Sequence, residues 1–295
     1  MDGYKRVLKS KVLRDRLLLA LRIIPDKQMI KLQYRIKLKR KLDLNNPQRF
    51  TEKLQWYKLN VRTPEMVVAS DKYTVRDYII GKGLESILIE QYGVYDEFDD
   101  IDFSKLPKKF VMKLSNGSGT NYICRDKSKI NVLDLKKKFK NYLTQVKSNA
   151  GREWPYTQSK PVIIIEKLLE DEKHLNNSVN DYKIFCFNGV PQYVICISDR
   201  YSDKCNHLVY DTKWEKIRVA SEGARIDEDT EKPENLDEML DIATTLSEDF
   251  RFARIDLYSL KEKIYFGEIT FFPWSGYMEF EPDEFDFVLG EHFKI

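Results

Sequence analysis

The pattern of apolar and polar residues predicts helices at the start of the chain. Over 5–24, apolar residues recur every three to five positions with basic residues between them, which is typical of an amphipathic helix that Pro25 would end. A second helix is predicted over 27–42. After a break at 45–47, Thr51 is expected to cap a third helix, where the body of the protein begins.

Farther along the chain, helical and β patterns alternate. Apolar residues have helical spacing over 71–82, 134–148 and 234–248. Short runs rich in β-branched and aromatic residues predict strands at 110–114, 121–124, 162–166, 182–187, 191–197, 252–258 and 263–270. The polar segment 199–229 is expected to form irregular β structure with a loop. Together these patterns predict an α+β fold.

Length and composition indicate a folded protein. The chain has 295 residues, of which 42% are hydrophobic and 13% aromatic, and this profile excludes an intrinsically disordered chain. Its longest apolar runs, such as 17–21 and 162–165, are far shorter than the roughly 18 residues that span a bilayer. No small-residue cleavage site follows the first helix, so we expect a cytoplasmic protein.

Charge is distributed unevenly along the chain. The first 42 residues contain 14 Lys or Arg and 3 Asp, a net charge of +11, whereas the remainder carries −8. A basic arm of this kind favours an anionic partner. Three interpretations remain open: the arm lies on an anionic membrane surface at the inner face of the plasma membrane, it contacts a polyanionic substrate, or it packs on the body as a solvated face. We do not expect a nucleic acid partner.

The cysteines and histidines do not predict a metal site. The four cysteines lack C-x-x-C spacing, and the three histidines are not spaced as ligands on one helix. We therefore expect Cys124, Cys186, Cys196 and Cys205 to be structural thiols in a reducing compartment.

A polar, glycine-containing loop follows the predicted strand 110–114. The strand delivers Lys113, and the loop has the sequence Ser-Asn-Gly-Ser-Gly-Thr-Asn over 115–121. Glycines let the backbone approach an anion closely, successive N–H groups can point at its oxygens, and a lysine adds positive charge. The segment is typical of a phosphate-binding loop, with an ordinary hairpin turn as the alternative.

The last two predicted strands carry charged residues that a hairpin would bring together. If the hairpin centres on 261–262, two cross-strand pairs form on one face, Asp256 with Glu268 and Arg254 with Thr270. Opposed carboxylates destabilise a ladder unless a cation lies between them, so the arrangement predicts Mg²⁺ bound by oxygen ligands and by phosphates. A solvent-exposed polar face is the alternative.

The buried strand pattern at 162–165 ends abruptly at Glu166-Lys167-Leu168-Leu169. A segment that connects two lobes can have this form, because its backbone could hydrogen-bond the edge of an adenine while leucines enclose the ring. An ordinary strand end remains the other interpretation.

In this order, the segments resemble the ATP-grasp superfamily and, within it, the TupA-like ATP-grasp family of bacterial surface-polysaccharide loci. The resemblance covers most of the chain and is carried by 46–53 (NPQRFTEK), 71–76 (DKYTVR), 110–121, 165–169, 181–183 (DYK), 253–258 (ARIDLY) and 267–276 (GEITFFPWSG). It implies an ATP-grasp fold in which two α+β lobes clasp ATP, preceded by a basic helical segment. The implied organisation is a basic segment over 1–46, a pre-ATP-grasp region over 47–109, and an ATP-grasp domain over 110–295 with lobes at about 110–165 and 170–295.

By this resemblance, residues of the first lobe and the hinge bind the nucleotide. Lys72 and Lys113 would hold the ATP phosphates, and Lys113 would also assist catalysis. The loop residues Ser115, Gly117, Ser118 and Gly119 would close over the phosphates. The hinge residues Glu166, Lys167, Leu168 and Leu169 would bind the adenine.

The resemblance gives the remaining roles to residues of the second lobe. Asp181 would contact the ribose hydroxyls and Lys183 a phosphate, while Arg254 would stabilise the transferred phosphoryl group. Asp256 and Glu268 would hold Mg²⁺. Thr270 stands where many ATP-grasp enzymes have a metal-binding asparagine, and its hydroxyl would be a weaker ligand.

The implied activity is that of a Mg-ATP-dependent carboxylate–amine ligase. A substrate carboxylate would attack the γ-phosphate to give an acyl phosphate and ADP, after which an amine would displace phosphate and form an amide. The substrates would belong to a surface polysaccharide or its precursor, for example a uronic acid that receives an amino acid.

Other functions remain open at this point. A sugar-nucleotide glycosyltransferase would need a metal-binding Asp-x-Asp, for which 100–102 and 227–229 qualify. A phosphotransferase would make a phosphoryl ester in place of an amide. A non-catalytic adaptor would depend on the basic arm alone.

Overall fold

The computed structural model describes residues 21–200, 202, 205–221 and 229–295. Within this part of the chain the α-helices are α1 (Asp26–Leu38), α2 (Phe50–Asn60), α3 (Pro64–Ser70), α4 (Val75–Gly81), α5 (Val132–Ser148), α6 (Leu236–Ser247) and α7 (Phe285–His292). The strands are β1 (Gln91–Tyr95), β2 (Phe110–Leu114), β3 (Tyr122–Cys124), β4 (Ile163–Glu166), β5 (Asp181–Phe187), β6 (Val190–Ser198), β7 (Asn206–Asp211), β8 (Lys216–Ile217), β9 (Ala220–Ser221), β10 (Phe252–Leu260), β11 (Lys263–Thr270) and β12 (Phe280–Glu281).

The strands predicted from the sequence are all present, with small differences at their ends. The helices predicted over 134–148 and 234–248 are confirmed as α5 and α6. The helix predicted over 27–42 ends earlier, at Leu38, and the one predicted over 71–82 begins only at Val75. The helix predicted over 5–24 lies mainly outside the described residues. Within the described part of that range, Leu21–Ile23 form a short 3₁₀ helix.

The chain divides into two compact units. The first comprises the residues up to Lys37, Arg62–Val75 and Ile89–Leu168, and the second comprises Leu38–Val61, Arg76–Leu88 and Leu169–Ile295. The chain leaves the first unit for the last time between Leu168 and Leu169, within the segment predicted as a hinge.

The first unit is built on a four-stranded antiparallel sheet with the order β1-β4-β2-β3. Both central strands are rich in buried aliphatic and aromatic residues, including Phe110 and Met112 of β2 and Ile165 of β4. Helix α5 places Leu135 and Phe139 in the same hydrophobic core. The end of β2 is therefore held rigidly where it enters the loop that follows it.

The second unit contains a six-stranded antiparallel sheet with the order β11-β10-β5-β6-β7-β8. Side chains alternate between the faces of a strand, so Asp181 and Lys183 of β5 lie on the face opposite to Tyr182 and Cys186. The face with Cys186 packs against α6, where its thiol lies 3.8 Å from the carbonyl oxygen of Ala243.

The other face of this sheet is apolar at one end and charged at the other. At the apolar end, Phe50 of α2 packs against Phe185 and Phe252, with ring centroids 5.9 and 5.0 Å apart. The charged end carries Asp181 and Lys183 together with the charged residues of β10. Burial of the aromatic end fixes the strands that hold these charges.

The prediction that Thr51 caps the third helix is wrong. Helix α2 begins one residue earlier, at Phe50, and the carboxylate of Glu52 accepts hydrogen bonds from the backbone N–H groups of Gln48 and Arg49, at 3.0 and 3.2 Å. Thr51 lies inside the helix and is fully buried. Its hydroxyl donates to the Asp286 carboxylate of α7 at 2.7 Å, so this residue joins two helices.

Three of the cysteines are buried, as predicted, and Cys205 is half-buried. Burial raises the pKa of Cys186 and of Cys196 to about 12, so both remain protonated, weakly nucleophilic thiols at neutral pH. Of the helices that the structure describes, none combines the length and apolar character required to cross a bilayer.

Candidate functional site

In the first unit, Lys72 and the loop 115–121, hereafter the phosphate loop, lie against each other. The backbone N–H of Lys72 donates to the carbonyl of Ser115 at 2.8 Å, and its ammonium donates to the carbonyl of Gly117 at 3.0 Å. The buried carboxylate of Asp71 accepts the Ser115 hydroxyl at 2.8 Å and the Ser159 hydroxyl at 3.1 Å. Asp71 therefore fixes Lys72 to the loop, a role that the sequence analysis missed.

The phosphate loop has a buried base and an exposed tip. Ser115 and Thr120 are fully buried, whereas Ser118 and Gly119 are exposed. A Cβ atom at Gly117 would lie 2.4 Å from the hydroxyl oxygen of Thr120, so no larger residue fits there. Gly119 has a φ of +65°, and a Cβ atom there would meet no atom within 4 Å. The Ser118 carbonyl accepts a hydrogen bond from the Gln145 side chain at 2.9 Å.

The structure brings Lys113 of β2 and Glu166 of β4 together as an ion pair between these neighbouring strands. The Lys113 ammonium lies 2.5 Å from the Glu166 carboxylate, and about a tenth of each side chain is exposed. The sequence analysis gave the two residues separate roles, in phosphate and adenine binding. In the described structure they neutralise each other.

The other predicted hinge residues extend from the end of β4. The backbone N–H of Lys167 donates to the carbonyl of Glu90 at 2.9 Å, and its side chain is half exposed. Leu168 and Leu169 are each partly exposed, so neither belongs to a hydrophobic core. Aliphatic side chains in this state can contact a flat apolar ligand such as a purine.

In the second unit, the predicted cross-strand pairs are confirmed. Asp256 lies opposite Glu268 and Arg254 lies opposite Thr270 in the ladder of β10 and β11. The pairing depends on an irregularity that the sequence analysis did not include. The turn is at 261–262, and a regular ladder from that turn would place Gly267 opposite Asp256; a β-bulge at Gly267 moves Glu268 into register.

Gly267 is required by close packing. A Cβ atom at this position would lie 2.9 Å from the backbone oxygen of Asp256 and 3.2 Å from the ring of Tyr258. Such distances are shorter than normal contacts, so the bulge can form only with glycine or after local displacement.

Arg254 links the charged residues of the hairpin. Its guanidinium donates to both carboxylate oxygens of Asp256, at 2.6 and 2.7 Å, and to Glu268 at 3.1 Å. It also donates to the hydroxyl of Thr270 at 3.0 Å. Arg254 and Asp256 are buried, whereas about a third of the Glu268 side chain is exposed. The cation between the opposed carboxylates is therefore an arginine of the protein itself.

The charged network continues across β5. The Lys183 ammonium is paired with Asp256 and lies 2.9 Å from Asp181, and Arg200 lies 2.5 Å from the same Asp181 oxygen. The result is a row of alternating charge, hereafter the charge row, made of Glu268, Arg254, Asp256, Lys183, Asp181 and Arg200. The sequence analysis missed Arg200, which follows the end of β6 and is the more exposed end of the row.

One acceptor in the charge row is unused. The second carboxylate oxygen of Asp181 is buried and has no hydrogen-bond partner among the described residues. A buried acceptor in this state is costly unless a ligand or water supplies a donor. The position therefore fits a hydroxyl-bearing ligand such as a ribose, which is the role predicted for Asp181.

His207 of β7 lies in register with Asp181 through Ile197 of β6. Burial, together with the positive charges of Arg200 and Lys183, lowers the pKa of His207. The imidazole is therefore neutral at physiological pH. It borders the charge row without adding charge to it, and no sequence motif indicated its position.

A strained loop follows Thr270. Trp274 and Ser275 have left-handed φ values of 48° and 56°, and Gly276 follows at 70°. Gln55 and Lys58 of α2 bind the backbone of this loop. The Gln55 amide donates to the carbonyl of Gly276 at 2.8 Å, and the buried Lys58 ammonium donates to the carbonyl of Ser275 at 2.9 Å. Left-handed conformations of non-glycine residues often mark functional sites.

The strained loop places an aromatic ring over the charge row. The guanidinium carbon of Arg254 lies 5.4 Å from the centre of the Trp274 ring, which is partly exposed. The contact restricts Arg254 from one side while its hydrogen bonds restrict it within the row.

The donor set of the hairpin suits Mg²⁺. Asp256, Glu268 and Thr270 offer only oxygen atoms on one face of two adjacent strands, and Mg²⁺ is usually held by one or two carboxylates with phosphates and water. Within the described part of the chain, no group of three or more His, Cys, Asp or Glu residues could hold a metal by itself. The donor types fit Mg²⁺, and because Arg254 donates to both Asp256 oxygens, a metal bound by Asp256 would share these oxygens with the arginine.

The structure thus assembles the predicted residues into two clusters, one in each unit. The first unit holds Lys72, Lys113, Ser115, Gly117, Ser118, Gly119, Glu166, Lys167 and Leu168. The second unit holds Leu169, Asp181, Lys183, Arg254, Asp256, Glu268 and Thr270. Of the two Asp-x-Asp candidates, the carboxylate of Asp102 caps a 3₁₀ turn through the N–H of Ser104, and 227–228 lie outside the described residues.

Comparison with known proteins gives one family. The family model described as TupA-like ATP-grasp matches residues 52–294. No curated protein sequence matches the chain.

The chain is also similar, at low sequence identity, to several solved structures. The D-alanine–D-alanine ligase from Bacillus anthracis in complex with ATP is 14% identical with a TM-score of 0.42, and the match covers 69% of this chain and 55% of that one. The D-alanine–D-alanine ligase from Helicobacter pylori is 13% identical with a TM-score of 0.43, covering 83% and 69%. The L-amino acid ligase from Bacillus licheniformis is 15% identical with a TM-score of 0.45, covering 77% and 49%. The chain thus spans little more than half the length of the Bacillus anthracis ligase.

Proposed function

Because the chain belongs to the TupA-like ATP-grasp family, we propose that it is an ADP-forming carboxylate–amine ligase that uses Mg-ATP. The observation that supports this proposal most directly is the face shared by Arg254, Asp256, Glu268 and Thr270. Two carboxylates and an arginine held there by packing suit the charge that develops during phosphoryl transfer.

In the proposed reaction, an oxygen of the substrate carboxylate attacks the γ-phosphorus of ATP, and the bond to the bridging oxygen of ADP breaks. An amine nitrogen then attacks the acyl phosphate, phosphate leaves, and the amine loses a proton as the amide forms. This chemistry needs no nucleophilic side chain. The protein's contribution is to orient the reactants, to stabilise negative charge and to exclude water.

The proposal gives each cluster a part in binding. Lys72, Lys113 and the N–H groups of the phosphate loop would contact phosphate oxygens, and the exposed tip at Ser118 and Gly119 would close over them. Residues 166–169 would contact the adenine, and the unused oxygen of Asp181 would accept a ribose hydroxyl. Lys183 would contact a phosphate oxygen.

Mg²⁺ bound by Asp256, Glu268 and Thr270 would supply positive charge to the phosphate oxygens. Arg254 would donate hydrogen bonds to the transferred phosphoryl group. Its position is set by contacts on three sides: the Asp256 carboxylate, the Thr270 hydroxyl and the ring of Trp274. An arginine held in this way loses little entropy when it binds the transition state, which favours a catalytic role.

For the substrates, we propose a carboxylate-bearing sugar, such as a uronic acid in a surface polysaccharide or its precursor, and an amine such as an amino acid. The sequence resemblance to a family of surface-polysaccharide loci supports this choice. The reaction would take place in the cytoplasm, where ATP is available, beside the membrane that carries lipid-linked precursors.

The proposal can be tested without knowing the amine. The protein is incubated with Mg-ATP, a uronic acid and hydroxylamine, which converts an acyl phosphate to a stable hydroxamate. We expect hydroxamate and ADP to form together with the wild-type chain. Asp256→Asn and Glu268→Gln should lower both products by about 100-fold or more.

The control is Glu262→Gln, which removes a carboxylate from the turn of the same hairpin and should leave the rate unchanged. Binding is measured separately as the rise in melting temperature that Mg-ATP produces. An equal rise in wild type, Asp256→Asn and Lys113→Ala would contradict the assigned site. A rise with UDP-sugars but not with Mg-ATP would instead favour a glycosyltransferase.

A non-catalytic adaptor makes a different prediction. Deletion of residues 1–20, which leaves the buried residues of α1 in place, should weaken the function of an adaptor that works through its basic arm. The ligase should retain magnesium-dependent release of ADP on a soluble uronic acid after the same deletion.

A further inference from the structure

Helix α1 is held firmly on the first unit by its inner face. Met29, Ile30 and Tyr34 are buried, and the side chain of Gln33 donates to the carbonyl of Ala150 at 2.8 Å. These residues lie on one side of the helix, since they recur at intervals of three to four. The helix is therefore a fixed part of the surface of the first unit.

The start of α1 is fixed by a buried arginine. Arg152 has a φ of 56° and donates to the carbonyls of Leu21 and Ile24, at 2.7 and 3.0 Å. It also pairs with Asp26 at 3.1 Å, and Arg62 lies 3.6 Å from the other oxygen of that carboxylate. Asp26 is the only acidic residue among 21–42 and is thus already neutralised by two arginines.

The outer face of α1 combines exposed aliphatic and basic side chains. Leu32 and Ile36 are one helical turn apart and are 51% and 55% exposed. Lys31 and Arg35 form a parallel exposed strip beside them, and Lys27 continues the basic side. A helix that packs on the protein by one face does not need two exposed aliphatic residues on the other.

We propose that the outer face of α1, defined by Lys27, Lys31, Leu32, Arg35 and Ile36, docks on an anionic lipid membrane. The aliphatic side chains enter the interface between headgroups and acyl chains, and the basic side chains pair with lipid phosphates. This inference specifies a surface for the proposed location beside the membrane and does not depend on the proposed reaction.

Charge argues for lipid and against the other occupants. Residues 21–42 contain 8 Lys or Arg and 1 Asp, so a second copy of the same face would be repelled. Residues 1–20 contain 6 Lys or Arg and 2 Asp, so they too would be repelled from it. A soluble polyanion would form ion pairs with Lys31 and Arg35 but would leave the side chains of Leu32 and Ile36 exposed to water.

The test is sedimentation of the full chain with lipid vesicles. Vesicles of phosphatidylcholine that contain about 30% phosphatidylglycerol are compared with vesicles of pure phosphatidylcholine. We expect binding only to the anionic vesicles, and weaker binding at high salt. Lys31→Gln combined with Arg35→Gln should lower the partition coefficient by about 30-fold, since each basic residue near the surface contributes about 1 kcal/mol.

The apolar contribution is tested by Leu32→Ser combined with Ile36→Ser, which should lower the partition coefficient by about tenfold or more. Matched controls lie elsewhere on the first unit. Lys105→Gln with Lys137→Gln removes the same charge from side chains that are 83% and 78% exposed. Val132→Ser with Leu133→Ser removes aliphatic residues that are 44% and 71% exposed. Both controls should bind like wild type.

Three results would overturn the proposal. The α1 variants could bind like their controls, or deletion of 1–20 could abolish binding that the α1 variants retain. The chain could also bind a soluble polyuronate through Lys31 and Arg35, with no effect of Leu32 and Ile36 on vesicle binding. An unchanged Mg-ATP melting shift in every variant shows that the chain is folded and keeps this test separate from the test of the reaction.

Discussion

The two charged clusters differ in how their charges are neutralised. In the first unit, Lys113 and Glu166 form a single ion pair next to a loop whose tip is exposed and accepts a hydrogen bond from Gln145 at the Ser118 carbonyl. In the second unit, Arg254 and Asp256 belong to a row of six charges in which each inner residue contacts opposite charges on both sides. We therefore expect the first cluster to rearrange more easily than the second.

The difference follows from the strands that carry the charges. Five of the six members of the charge row lie on three adjacent strands of an antiparallel sheet, so the ladder fixes their spacing, and Arg200 follows the end of β6. The phosphate loop instead leaves the end of β2 and lies outside the ladders of the sheet. Side-chain hydrogen bonds hold it, among them those from Ser115 to Asp71, from Lys72 to the Gly117 carbonyl and from Gln145 to the Ser118 carbonyl.

The largest effect is expected from Arg254→Met. Because it leaves buried carboxylates without their cation, it should lower the free energy of unfolding by about 3–5 kcal/mol, measured by urea denaturation. It should also lower ADP release by about 100-fold or more. Arg254→Met combined with Asp256→Asn should regain part of the stability, and a further loss in the double variant would show that the row is not a network.

A smaller effect is expected from Lys113→Met. Only one ion pair is broken, so the loss of unfolding free energy should be about 1.5–3 kcal/mol. The same variant should reduce the melting shift produced by Mg-ATP. A loss as large as that of Arg254→Met would contradict the contrast between the two clusters.

Gly267→Ala tests how tightly the cluster of the second unit is packed. Its Cβ atom would lie 2.9 Å from the backbone of Asp256, so the bulge must shift, at a cost of about 1–3 kcal/mol. ADP release should fall as well, because Glu268 moves relative to Asp256. Gly81→Ala, at a position of the same unit with no atom within 4 Å, is the control and should have little effect.

The smallest effect is expected from Gly119→Ala at the tip of the phosphate loop. The left-handed backbone at +65° should cost about 1 kcal/mol, and there is no neighbouring atom to clash with. Nucleotide binding should weaken only slightly in an equilibrium melting assay. A cost equal to that of Gly267→Ala would show that the surroundings of Gly119 are packed. It would remove the contrast between the open position of Gly119 and the closely packed position of Gly267.

Much of the fold follows from the sequence because the strands have strong apolar patterns. The segments 110–114 and 263–270 were predicted with the bounds that the structure shows. The described strands include five that the sequence did not predict individually. β7, β8 and β9 lie within 199–229, for which the sequence predicted irregular β structure with a loop. β1 and β12 were missed: β1 includes a glycine and is half-buried throughout, and β12 has only two residues. Tertiary pairing, not local pattern, makes both of them strands.

The sequence predicted which charged residues meet in the hairpin, but not the contacts that hold them. The bulge at Gly267 has no sequence signal beyond the glycine itself. Arg200 joins the row only because β6 ends beside Asp181, and the left-handed conformation of Trp274 depends on Gln55 and Lys58, more than 200 residues away in sequence. Contacts between residues so far apart in sequence can be identified only from the folded structure, since no local sequence rule relates such positions.

The charge row has a further consequence, because its three cations and three anions make it electroneutral. A divalent ion that arrived by itself would leave two units of positive charge uncompensated at a buried position, and a nucleotide by itself would bring a surplus of negative charge. Each ligand cancels the excess of the other. Titration calorimetry should therefore show that magnesium and ATP each bind weakly alone and that each raises the affinity for the other by the same factor.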